Sequence, residues 1–109
     1  MAAVYNTEVS ENLLLAARLA VRANRTSAFD NEIKDLISAA RAELVEIGVL
    51  PSKVYDDNDP LTKQAVILYV KAEFGLDNPD AERYHEAYTM LKHRISLLTD
   101  YTEAPDVLA

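Results

Sequence analysis

Apolar residues return every three or four positions in four stretches of the chain, which is the period of a helix and not of a strand. Between about residues 7 and 22, Val9, Leu13, Ala16, Ala17 and Ala20 form one stripe. Leu14, Leu15, Leu19 and Val21 widen it, so this helix is expected to bury more than one side. From 28 to 47 the stripe is Phe29, Ile33, Leu36, Ile37, Ala40, Leu44 and Ile47, with Asp30, Lys34, Asp35, Ser38, Arg41 and Glu46 assigned to the opposite side. The third stretch, 60–74, is apolar all round at Ala65-Val66-Ile67-Leu68-Tyr69-Val70, so protein must surround it. In the fourth, 79–98, Ala81, Tyr84, Tyr88, Leu91, Ile95 and Leu98 follow at spacings that lay a seam along another helix. No segment alternates convincingly as a strand, although Val49 to Tyr55 has the composition to add a short one in an assembly.

The 2 glycines and 4 prolines fall between these stretches. Asn6 or Thr7 is placed to cap the first helix and Ser27, or Thr26, the second. Gly48 stands where a left-handed C-cap ends the second helix, with Val49 supplying the accompanying apolar contact. Asp59-Pro60 and Asn78-Pro79 each pair a capping side chain with a proline at the first helical position, where the missing N–H costs nothing. Gly75 closes the third helix. The expected fold is therefore all-α: a compact bundle of about four helices (7–22, 28–47, 60–74, 79–98), with a long loop at 49–58. The whole of 1–109 reads as one domain, with a helical core at about 7–98 and an extended C-terminal tail at 99–109.

Composition narrows the function. At 109 residues, 50% apolar and 27% charged, the chain has the make-up of a folded domain able to hold a single core. With no cysteine, disulfide scaffolds, cysteine–zinc sites and thiol catalysis are excluded. No apolar run reaches the ~20 residues of a membrane span. Met1 to Asn6 lack a basic region followed by an apolar one, which predicts a product that stays in the cytoplasm. The net charge of −7 argues against a nucleic-acid reader, which needs a concentrated basic surface. Residues 1–54 carry 6 basic and 7 acidic groups and residues 55–109 carry 5 and 11, so the second half supplies nearly all of the excess.

Candidate chemistry fails on spacing. His85-Glu86-Ala87-Tyr88-Thr89 starts like a zinc-protease helix, but Thr89 stands where the second histidine must be, and His93 has only Lys92 and Arg94 beside it. Asp56-Asp57-Asn58-Asp59 suggests a calcium loop, yet counting from Asp57 the required glycine and glutamate are Thr62 and Leu68. Glycine-rich phosphate loops, nucleophile elbows and paired catalytic carboxylates do not occur, so no cofactor, metal or catalysis is expected.

The remaining signals concern contacts. Arg18, Arg22 and Arg25 share a helical face or its continuation, either as a solvated end favoured by the helix dipole or as a contact for an acidic partner such as another copy's second half. Tyr69, Tyr84 and Tyr88 lie on apolar stripes and read as core, whereas Tyr5, Tyr55 and Tyr101 fall in expected loops or tails, where aromatic rings serve as interface anchors.

Asp59-Pro60-Leu61 through Ala65-Val66-Ile67-Leu68-Tyr69-Val70-Lys71-Ala72-Glu73-Phe74-Gly75, then Asn78-Pro79-Asp80-Ala81-Glu82-Arg83-Tyr84 and Tyr88-Thr89-Met90-Leu91-Lys92, resemble the small head–tail connector (DNA-packaging adaptor) proteins of tailed bacteriophages and prophages. Ile33-Lys34-Asp35-Leu36-Ile37-Ser38-Ala39-Ala40-Arg41-Ala42-Glu43-Leu44 with Gly48-Val49 is similar to that family's second helix. The likeness covers about residues 9–101. It implies a virion protein of the neck, made in the host cytoplasm, that forms a homo-oligomeric, dodecameric ring below the portal protein. Such a ring completes the DNA channel after packaging, lets DNA pass without sequence-specific binding, and docks a head-closure or tail-completion protein. Family members reach neighbours through their termini and the loop after the second helix. Carried over, this points to Val54, Tyr55, Asp56 and Asp57 in the loop and to Tyr101, Val107 and Leu108 in the tail, beside the arginines already named. The alternative is a small acidic helical regulator that binds another protein, a reading that includes imitation of the charge of DNA.

Overall fold

The computed structural model describes residues 5–75 and 77–103, and among these it contains helices and no strand. The elements are α1 (Glu11–Ala20), α2 (Asp30–Glu46), α3 (Pro51–Val54), α4 (Pro60–Glu73), α5 (Ala81–Ser96) and α6 (Thr99–Thr102). The four long ones correspond to the four periodic stretches. α3 and α6 are single turns inside segments expected to be a loop and an extended tail.

α4 is central, as its uninterrupted apolar run requires. It packs against α5, α2 and α1, and buries Ala65, Val66 and Val70. Around it, Leu13, Leu14 and Ala17 of α1, Ile33, Ile37, Ala40 and Leu44 of α2, and Tyr88, Leu91 and Ile95 of α5 close one core. The polarity of the helices is fixed by their ends. The Ser10 N–H, at the start of α1, donates to Asp57 just before α4 (3.1 Å). Ala20, Val21 and Arg22, at its finish, share a cleft with Lys71, Phe74, Asp80 and Tyr84. α1 therefore runs parallel to α4, and α5, joined to α4 by a short turn, runs antiparallel to both.

Caps explain the boundaries. Ser10, not Asn6 or Thr7, caps α1 through its hydroxyl, which accepts from the Leu13 N–H at 3.1 Å. Asp59 caps α4 as its Asp-Pro signature predicts, accepting from the Thr62 N–H at 3.0 Å. Asn78 is spent one turn earlier than expected. Its oxygen accepts from the Asp80 N–H at 3.0 Å and its amide donates to the Lys71 carbonyl at 2.7 Å, tying the start of α5 to the end of α4. Ser27 supplies only a backbone oxygen to Asp30, and α2 has no side-chain cap.

Two helices end on the same hydrogen-bond pattern with different residues. After α2, Gly48 adopts φ +102° while the Gly48 and Val49 N–H groups donate to Val45 and Leu44. After α1, Arg22 takes the glycine position at φ +60°, and the Arg22 and Ala23 N–H groups donate to Leu19 and Arg18. α1 therefore stops two residues before the limit that its sequence period suggested.

Candidate functional site

The loop singled out by sequence and the described part of the tail, residues 99–103, meet at one pole of the bundle, around α3. Two polar hubs organise it. Arg41 was expected on the solvated side of α2, yet it is 2% exposed. It stands four residues after Ile37 and three before Leu44, which places it on the buried face. Its Nη1 donates to the Thr7 carbonyl (2.9 Å) and its Nη2 to Asp57 Oδ1 (2.7 Å), while its guanidinium lies over the Tyr55 ring. The Tyr5 ring stacks with that of Tyr55, the centroids 6.2 Å apart. The other Asp57 oxygen receives the Ser10 N–H. One guanidinium thus fastens the segment before α1 to the segment before α4. Its Nε has no hydrogen-bond partner among the described residues.

The second hub is Asp59, 7% exposed. Besides capping α4 it accepts from the Thr62 hydroxyl (3.0 Å) and from the Tyr101 hydroxyl (2.9 Å), so the cap of one helix is also the anchor of another. The Leu50 N–H donates to the Tyr101 carbonyl at 2.7 Å, and the Lys53 amine sits over the Tyr101 ring. Burial, reinforced by the bond to Asp59, pushes the Tyr101 hydroxyl up to about 12 from its usual 10.

The residues expected at interfaces therefore divide. Val54 is in the core at 2% exposure. Tyr55 and Asp57 are half-buried partners of Arg41, and Tyr101 is a half-buried partner of Asp59. Asp56 is exposed, its side chain accepting from the Asn58 N–H in a tight turn. Arg18 makes a two-pronged ion pair with Asp30, Nε to Oδ1 at 2.7 Å and Nη2 to Oδ2. The hydrogen bond to Arg18 holds the Asp30 carboxyl below its usual range. Arg22 and Arg25 are exposed, and neither is in an ion pair among the described residues. Val107 and Leu108 lie outside the described residues. His85 contacts Glu73 of α4 at 3.0 Å, in keeping with a surface histidine, and His93 is exposed.

Sequence reasoning missed a different feature. The broad apolar surface of α1 was expected to be buried on more than one side, but Leu15 and Leu19 remain 47% and 54% exposed. On α5 and at its C-cap, Met90 and Leu97 are 73% and 69% exposed. α1 packs on α2 and α4, whereas α5 packs on α4 and reaches α2 through Glu43, which accepts from Tyr88 and Lys92. The two uncovered stripes therefore sit on two different helices, each turned away from the core. The signal was present in the excess of leucine on α1, since one face of a helix suffices for packing within a monomer.

No curated protein and no solved structure was found to match the chain. A family model described as phage connector protein matches residues 14–102, from within α1 through the end of α6. No activity follows from this, because the family is structural and not known for catalysis. With its helical architecture and a match over most of its length, the chain belongs to the phage connector protein family, whose members join head and tail.

Proposed function

We propose that this connector is a single domain that closes into a homo-oligomeric, dodecameric ring below the portal. There it completes the DNA channel after packaging and offers a docking surface to the next neck or tail protein. The observation that carries the reading is the pair of uncovered apolar stripes on two different helices, Leu15 with Leu19 and Met90 with Leu97. A closed ring of identical copies needs two unlike complementary surfaces on each subunit. Arg22, Arg25 and Asp56 are assigned to contacts between subunits or with partners, because their side chains stand in solvent. The acidic surplus suits a channel through which DNA slides, since fixed cations would hold its phosphates.

The regulator reading is weaker. A charge mimic needs its carboxylates displayed in rows, whereas Asp30, Asp57 and Asp59 are spent inside the fold. Electron microscopy of the full chain mixed with portal-bearing capsids tests the proposal. Rings seated below the portal are expected. A strict monomer by light scattering that leaves such capsids bare would overturn the proposal in favour of the regulator.

A further inference from the structure

We infer that the occupant of each uncovered stripe is the other stripe of a second copy, with α1 of one subunit lying antiparallel against α5 of the next. The inference rests on the ring reading and specifies its contact.

Charge supplies the first argument. Along the exposed side of α1 the order from start to finish is Glu11, Leu15, Leu19, then Arg22 just beyond the last turn, with Arg25 following. Along the exposed side of α5 it is Glu82, Arg83 and Glu86, then Met90, then His93, Arg94 and Leu97; Arg83 stands 3.7 Å from its own Asp80, which leaves the start of the helix net acidic. Both read acid, apolar, base. Laid parallel, like charges would meet at both ends. Laid antiparallel, the arginines beyond α1 meet Glu82 and Glu86, and Glu11 meets Arg94. The leucines then close over Met90.

The fold supplies the second argument independently. Within one subunit α1 and α5 already run in opposite directions, and Arg22 lies level with the start of α5, lining the same cleft as Asp80 and Tyr84. Rotation about an axis along the bundle changes neither direction nor level. A neighbour generated that way brings its α5 beside α1 antiparallel, with Glu82 and Glu86 at the height of Arg22 and Met90 at the height of Leu15. The register demanded by charge and the register delivered by ring symmetry coincide.

The third observation is backbone strain. Arg22 occupies a left-handed position, φ +60°, which glycine fills without cost after α2. A cation held there despite the strain is accounted for if its charge is used between subunits.

Cross-linking tests the contact, and the absence of cysteine makes it clean. Leu15→Cys and Met90→Cys alter exposed positions that the core does not use. Treated with a short bismaleimide on assembled protein, a mixture of the two single variants is expected to give a mixed dimer, with little self-linking of either alone. The doubly substituted chain is expected to give a ladder beyond the dimer. Arg22→Glu should raise the concentration for half-assembly about tenfold, and adding Glu86→Arg in the same chain should restore it. Self-linked dimers of one variant would mean a two-fold contact and overturn the inference. Rings without the mixed product would overturn this interface while leaving the ring reading intact. Failure to assemble, alone or on portal-bearing capsids, would remove the ring reading and this contact together.

Discussion

The middle of the bundle and the α3 pole are held by different physics. Between α2, α4 and α5 the contacts are apolar: Ile33, Ile37, Val70 and Ile95 are fully buried, and the chief polar link is Tyr88 with Glu43 at the edge. At the pole, segments too short to bury a stripe of their own converge on Arg41 and Asp59. Apolar burial is spread over many residues and tolerates loss at one of them. A hub concentrates the same task in one side chain, so its removal releases several segments at once.

The largest expected effect is at the hub. Arg41→Ala removes the partner of a mostly buried carboxylate and is expected to cost about 4 kcal/mol in chemical denaturation. Replacing the pair with Arg41→Met and Asp57→Leu should recover most of that loss, because neither charge is then left without its partner. Ile37→Ala, a cavity in the apolar half, should cost about 3 kcal/mol. Hydrogen exchange separates the two regions: Arg41→Ala should expose the amides of Ser10, Val54 and Tyr55 while α4 and α5 stay protected, whereas Ile37→Ala should lower protection throughout. Equal patterns for both would erase the distinction.

A smaller effect is expected at Tyr101. Tyr101→Phe keeps the ring and deletes one hydroxyl bond, costing about 1 kcal/mol. Its hydroxyl titrates near 12 in the fold against 10 when unfolded, so the fold favours the neutral form. That contribution is complete below pH 10 and is lost as pH rises from 10 to 12. The alkaline decline in stability should therefore be shallower in Tyr101→Phe than in the parent over that interval. The smallest change is a gain: Arg22→Gly should raise stability by about 1 kcal/mol by relieving the left-handed strain, and should weaken assembly. A protein stabilised in this way that assembles as before would show that the arginine charge is idle.

Legibility followed the same division. The four long helices, the Asp59-Pro60 start and the Gly48 stop could be read from the chain because each is a local pattern of several residues. α3 and α6 could not, since four residues hold barely one turn and no period. Arg41 was misplaced because residue type outweighed position, although its spacing from Ile37 and Leu44 put it on the buried face. The roles of Tyr55, Asp57 and Tyr101 depend on partners tens of residues away, which no window of sequence contains. The uncovered leucines of α1 were visible as excess, but which face stays bare depends on where α2 and α4 fall.

Asp57 and Asp59, two positions apart, hold the chain on its way into α1 and on its way out of α5. Entrance and exit therefore share one doorway. The described ends of the chain, Tyr5 and Glu103, both belong to the α3 pole. In a ring whose axis runs along the bundle, every copy would present Tyr5 and Glu103 on a single rim, and a protein seated there would cover both together.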